Sequence, residues 1–250
     1  MSEKGNTYST ENFTLKFYPA KGNEKKPFAL ICPGGGYEIV ADWVEGEPFA
    51  KKLNSLGYSS FVLYYRVGFA AKYPAPLDDL AGALSYILKN AEKYNVFTEG
   101  YSLWGSSAGG HLAALFASKR FCRDKYNLPQ PSALVLIYPV ITMGKLSHKG
   151  SVKMLLGENP ENEEIKAASV ENNVDANYPP TFLWNSKTDK SVNPENGVIM
   201  KNALDNFGID NCFMQFETGE HGAGLGEGTE CEAWFESAVK FWKKHTEDIK

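Results

Sequence analysis

Two stretches of this chain, residues 28–32 (Phe-Ala-Leu-Ile-Cys) and 133–138 (Ala-Leu-Val-Leu-Ile-Tyr), are apolar at every position rather than at every second one. A strand with one wet face alternates, so an uninterrupted apolar strand must be covered on both sides. Further runs rich in β-branched and aromatic residues, 13–18, 58–65, 101–104, 181–184 and 212–216, read as strands. Helical patterns fall between them. The clearest puts Leu77, Leu80, Ala81, Leu84, Ile87, Leu88 and Ala91 on one stripe; others cover about 48–56, ending at Gly57, 108–118, 194–207, ending at Gly208, and 229–245. Alternating strands and helices imply an α/β fold: a mostly parallel central sheet, helices on both faces, with 28–32 and 133–138 as central strands.

A chain of 250 residues can bury one large core, and α/β folds run to this length unbroken, so a single domain over 1–250 is expected. Between about 142 and 178 the rhythm stops. The segment is polar, carries Leu155, Leu156 and Gly157, and continues into an acidic run at 158–164. It is expected to be a small helical insertion, a lid, over the carboxyl ends of the strands, where open α/β sheets bind ligands. With 26 Lys and Arg against 30 Asp and Glu, the net charge of −4 gives no reason to expect a nucleic-acid partner. The longest apolar stretch, 133–141, contains Pro139 and falls short of the roughly 18 residues a membrane helix needs. The N-terminal Met-Ser-Glu-Lys-Gly-Asn has no apolar run to serve as a signal peptide, so a cytoplasmic location without membrane association is expected. Cys32, Cys122, Cys212 and Cys231 are scattered, with no Cys-x-x-Cys pair and no histidine cluster beside them; free, mostly buried thiols and no metal are expected.

The segment that carries chemistry is Tyr101-Ser-Leu-Trp-Gly105-Ser-Ser107-Ala-Gly109-Gly-His-Leu-Ala-Ala, a strand, then Gly-x-Ser-x-Gly, then a helix. A serine on such a strained turn holds its hydroxyl above the sheet, and the flanking glycines remove side chains that would collide around the bend. Ser107 is the candidate nucleophile; its neighbour Ser106 lacks a glycine two residues away on both sides. A serine needs a base, and four histidines are available. His111 lies one turn into the following helix and reads as a packed core residue. His245 sits in the charged last turns and reads as solvated, and His148 lies in the insertion. His221, in a glycine-rich loop after the last strand, is the candidate base. The third member orients the imidazole, and in this arrangement it falls between serine and histidine in the chain. Asp189, just past the strand at 181–184, is the candidate acid, with Glu195 and Asp175 as alternatives.

Acyl transfer also needs donors for the developing oxyanion. Cys32-Pro33-Gly34-Gly35-Gly36-Tyr37 follows a central strand, where successive glycines let backbone N–H groups approach a substrate oxygen, with a further N–H from Ala108. A phosphate cradle is disfavoured, because no Gly-Lys-Ser/Thr follows.

These residues together, with Tyr73-Pro-Ala-Pro-Leu-Asp-Asp79 and His221-Gly, resemble the α/β-hydrolase superfamily over nearly the whole chain. The resemblance is to its small acetyl esterases, and Pro33 before the glycines is shared with a subgroup resembling acetylxylan esterases rather than with the His-Gly-Gly-Gly relatives. The segment after Arg66 also lacks the Leu-Ala-Pro-Glu of the lipase-like branch. The resemblance implies a triad of Ser107, Asp189 and His221, an oxyanion hole of Gly35, Gly36 and Ala108, and an Arg66–Asp79 ion pair tying loop to helix. It further implies a serine esterase acting on short acyl groups, acetyl above all, of a small-molecule ester such as an acetylated saccharide. Tyr37 and Trp43 are then candidate substrate-stacking surfaces, or equally core residues. No cofactor is implied. An amidase resembling kynurenine formamidases or a small peptidase would use the same triad, and a non-catalytic binding module would need none of it.

Overall fold

The computed structural model describes residues 2–4, 6–22 and 24–247. Its strands are β1 (Ser2–Lys4), β2 (Thr7–Ser9), β3 (Thr14–Tyr18), β4 (Ala29–Cys32), β5 (Ser60–Tyr64), β6 (Ser102–Ser106), β7 (Ala133–Ile137), β8 (Thr181–Ser186) and β9 (Asn211–Phe216). They form one sheet in the order β1-β2-β3-β5-β4-β6-β7-β8-β9. From β5 to β9 all neighbours are parallel, while β1, β2 and β3 add an antiparallel edge. The helices are α1 (Asp42–Glu45), α2 (Glu47–Ser55), α3 (Ala75–Lys89), α4 (Ala91–Tyr94), α5 (Ser107–Ala117), α6 (Lys149–Leu156), α7 (Asn162–Ala168), α8 (Glu195–Asn206) and α9 (Trp234–Lys244).

The two apolar runs lie in the middle of the sheet, and their alternate residues feed two separate cores. Leu30, Leu103, Leu134, Leu136 and Leu183 point into one, against Leu80 and Leu84 of α3, Leu112 and Leu115 of α5 and Met200 and Leu204 of α8. Ile31, Trp104, Val135, Ile137, Phe182 and Trp184 point into the other, against Phe49 and Leu53 of α2 and Trp234, Phe235 and Trp242 of α9. Each such buried aliphatic or aromatic side chain contributes roughly 1.5–3 kcal/mol, and a polar residue that β6 buries, Ser102, accepts the Trp104 indole N–H at 2.7 Å.

The structure departs from the sequence reading at edges and ends. Strands β1 and β2, three residues each, are too short to carry a periodic signal. The helix expected to run through Ala91 breaks at Asn90 into α3 and α4, and Asn95 ends α4 with a left-handed φ of 51°. The helix expected from 229 begins at Trp234, because Gly226 and Gly228 hold the preceding residues in turns at φ 68° and 72°. The segment 142–178 does carry helices, α6 and α7. Its acidic run starts α7: Glu161 and Glu164 make a reciprocal capping box that satisfies two orphan N–H groups. The four cysteines are free thiols, Cys32, Cys122 and Cys231 buried and Cys212 half-buried. No helix among the described residues is long and apolar enough to cross a membrane.

Candidate active site

Strand β6 ends at Ser106 and α5 begins at Ser107, whose backbone is left-handed at φ 51°. A non-glycine residue is held there only when its surroundings leave no alternative. The glycines of the bend supply those surroundings. A Cβ at Gly105 would stand 2.3 Å from the Gly109 carbonyl oxygen, and one at Gly109 would stand 2.1 Å from the Cys32 carbonyl oxygen. Because both obstacles are backbone, Gly109→Ala should drive α5 away from the end of β4. The expected cost is about 3 kcal/mol, a fall in Tm of roughly 6–12 °C by calorimetry.

Ser107 donates its hydroxyl proton to His221 Nε2 across 2.8 Å, and His221 Nδ1–H donates to Asp189 Oδ2 across 2.7 Å. Asp189 is itself fixed, since its Oδ1 accepts from the N–H groups of Ser191 and Val192 at 2.8 and 2.9 Å. Its side chain is only 2% exposed, so neither oxygen is left to water. The histidine loop is tied to the end of β8: Ser186 Oγ donates to the Gly219 carbonyl at 2.6 Å, and Gly219 N–H donates to Thr188 Oγ1 at 3.0 Å. Gly219 has φ 149°, and a Cβ there would press on Cys231 and Ser186 at 3.0 Å, so the approach needs glycine. The alternative acids stay away from the imidazole. Glu195 is exposed in the first turn of α8, and Asp175 accepts from Asn177 N–H in a local turn.

Beside Ser107 lies the glycine loop. A Cβ at Gly34 would stand 2.8 Å from Ser107 Cβ, and at Gly35 2.3 Å from the Ile39 carbonyl oxygen, while Gly36 takes φ 67°. Gly34 N–H is already committed to Glu45 Oε2 at 2.7 Å. The N–H groups of Gly35 and Gly36 donate to no backbone or side-chain acceptor among the described residues, and Ala108 N–H, in the first turn of α5, has no intrahelical partner. The site thus holds a hydroxyl bonded to an imidazole, beside a glycine loop whose Gly35 and Gly36 N–H groups are uncommitted.

Other expectations resolve here. His111 is fully buried; its Nε2–H donates to the Ala168 carbonyl at 2.7 Å and its Nδ1 accepts from Tyr37 OH at 2.8 Å. Burial pushes its pKa down to about 4, so it packs as a neutral ring. Tyr37 is therefore a core residue, 1% exposed and packed edge-on to Tyr65 and His111, and its reading as a stacking surface is corrected: its ring has no face to offer. Trp43, by contrast, is 67% exposed on α1. His245 is not solvated as expected, because its ring packs on Phe241 and faces Asp210 at 3.1 Å. Arg66 and Asp79 do pair, at 2.7 Å, and Arg66 also donates its backbone N–H to Asp79 and a guanidinium proton to the Ala75 carbonyl. The pKa of Asp79 is nevertheless raised, burial outweighing the arginine.

Of three further polar residues near the site, sequence reasoning placed His148 only in the insertion and passed over Glu45 and Tyr138. His148 N-caps α6, its Nδ1 accepting from Ser151 N–H, and its ring lies 3.5 Å from where a Gly36 Cβ would be. Glu45 is 4% exposed under the glycine loop, and Tyr138 directly follows β7 with its ring 4.9 Å from that of His221. Glu45 sits among Asp42 and Glu47, where an acid reads as an ordinary helix-start charge, so nothing in the pattern separates it. Among the described residues no group of three or more His, Cys, Asp or Glu side chains could hold a metal ion.

A family model described as BD-FAE matches residues 16–204. The chain is 36% identical over 208 residues to endo-1,4-beta-xylanase B of Butyrivibrio fibrisolvens, covering 79% of this chain and 32% of that protein. It is 29% identical over 199 residues to an acetylxylan esterase of Xylanibacter ruminicola, covering 78% of this chain and 40% of that protein. The chain thus spans about a third to two fifths of the length of these relatives. Among solved structures it is similar to an acetyl ester-xyloside bifunctional hydrolase from Caldicellulosiruptor lactoaceticus, with TM-score 0.85, 35% identity, and coverage of 95% of this chain and 89% of that one. The sheet and its flanking helices are those of the α/β-hydrolase fold.

Proposed function

We propose, because the chain belongs to the BD-FAE family of α/β hydrolases, that it is a serine esterase that removes short acyl groups, acetyl above all, from carbohydrate esters. The observation that carries the reading is the unbroken hydrogen-bond chain from Ser107 through His221 to Asp189, with unused N–H groups beside the hydroxyl. In this reading Ser107 Oγ attacks the ester carbonyl carbon while His221 Nε2 takes its proton, and Asp189 stabilises the imidazolium that forms. The carbonyl oxygen gains charge and is held by the N–H groups of Gly35, Gly36 and Ala108. The C–O bond to the sugar then breaks, with His221 returning its proton to the leaving oxygen. Water, deprotonated by the same imidazole, releases the acid from Ser107.

The segment 142–178 is then a cover over one wall of the site, with His148 of α6 beside Gly36 as support for that placement. Trp43 is the proposed stacking face for the sugar. It is exposed on the helix that follows the glycine loop directly, where Ala41 N–H donates to the Gly34 carbonyl at 3.0 Å. The test is release of acetate from acetylated xylo-oligosaccharides and from 4-nitrophenyl acetate. Wild type should hydrolyse both; failure on both would overturn the esterase reading. Trp43→Ala should raise KM for the oligosaccharide by about three- to tenfold and leave the nitrophenyl ester within about twofold, since a stacked aromatic face is worth on the order of 1 kcal/mol. Equal effects on both substrates would remove Trp43 from sugar binding.

A further inference from the structure

Glu45 is a carboxyl group buried beside the triad that the proposed chemistry does not use. A charged or polar group in such a place costs several kcal/mol unless its bonds are made, so what it binds indicates what it does. Its Oε2 accepts from Gly34 N–H at 2.7 Å, and the Tyr138 hydroxyl faces the same carboxyl group closely enough to favour its charged form. Tyr138 OH accepts in turn from Gly224 N–H at 3.2 Å. Donors face acceptors without conflict along Gly34, Glu45, Tyr138 and Gly224. The first of these residues lies in the loop that carries Gly35 and Gly36, and the last lies three residues beyond His221. The tyrosine ring also meets the His221 imidazole edge-on at 61° and 4.9 Å.

The backbone indicates that this arrangement is held under load. Tyr138 has φ 36°, a conformation that a bulky side chain adopts only when its contacts insist on it. The two loops also touch through α1, since a Cβ at Gly224 would stand 3.0 Å from Val44 Cγ1 and 3.2 Å from the Val44 carbonyl oxygen. Burial raises the pKa of Glu45, while the Tyr138 hydroxyl, the bond from Gly34 and the nearby His221 act against that rise.

We propose that Glu45 is a positioning residue which, through Tyr138, locks the glycine loop and the histidine loop into one register. The N–H groups of Gly35 and Gly36 and the His221 Nε2 are thereby aimed at the same substrate carbonyl. The proposal rests on the esterase reading. Oxyanion donors act only within a few tenths of an ångström of the correct place, and a shift of about 1 Å can cost on the order of 100-fold. The bridge therefore serves the transition state, not ground-state binding, and its loss belongs in kcat.

The experiment compares wild type, Glu45→Gln, Tyr138→Phe and the double variant on 4-nitrophenyl acetate, together with fluorophosphonate labelling of Ser107 and thermal melts. The expected result is a kcat lowered about 10- to 100-fold in each single variant with KM within about threefold, and a double variant no worse than the weaker single one, because both changes cut one connection. Tyr138→Phe removes a single hydroxyl and supplies the result even where Glu45→Gln fails to fold. Wild type that labels and turns over, with variants whose kcat stays within about twofold, or whose losses add or fall in KM, overturns the bridge alone. Wild type that neither labels nor hydrolyses overturns both readings.

Discussion

Ser107→Ala is expected to reduce kcat on 4-nitrophenyl acetate by on the order of 10⁶, leaving only the slow reaction that oriented N–H donors and bound water sustain. The substitution removes one oxygen and nothing else. Ser107 Oγ makes its hydrogen bond to His221, and the serine is 5% exposed at the turn from β6 into α5, so no core contact is lost. The left-handed backbone at position 107 is imposed by the backbone packing around Gly105 and Gly109, which alanine leaves intact. The melting temperature should therefore stay within a few degrees of wild type while activity disappears. Steady-state rates with melts on the same samples check this; a variant keeping more than about a tenth of wild-type kcat would assign the chemistry to another group.

Asp189→Asn should cost on the order of 10⁴ in kcat, and the structure gives the reason atom by atom. Oδ1 accepts two backbone N–H groups, from Ser191 and Val192, so in the amide that position must remain the oxygen. The NH₂ then takes the place of Oδ2 and faces His221 Nδ1, which has been a donor. Two donors cannot share one bond. The imidazole moves its proton to Nε2, where it can no longer accept from Ser107 Oγ. Glu195→Gln and Asp175→Asn are the matched controls, and each should stay within about twofold, because neither carboxylate reaches the imidazole. A loss under about tenfold in Asp189→Asn would contradict the account of the acid.

The central part of the fold is legible in the sequence because burial on both faces leaves a run with no polar residue, as in β4 and β7. Gly105, Ser107 and Gly109 are legible for a related reason: backbone atoms 2.1–2.3 Å from an added Cβ leave glycine as the residue that fits at both flanking positions. His221 and Asp189 are found by chain order and by the loops they occupy. What pattern reading misses is set by partners distant in sequence. Tyr37 follows three glycines at the site's edge, yet its ring turns inward to His111, 74 positions away, and no local signal carries that. Glu45 is hidden in the same way, since its value lies in Gly34 and Tyr138 rather than in its neighbours.

In the proposed mechanism Ser107 carries the acyl group between two half-reactions. Rapid acid quench of the enzyme during turnover of 4-nitrophenyl acetate, followed by peptide mass analysis, reads this directly. One acetyl group is expected on the peptide that contains Ser107, located on that residue, and absent from Ser107→Ala. Continued hydrolysis with no acetylated peptide, or with the acetyl group on any other side chain, would contradict it.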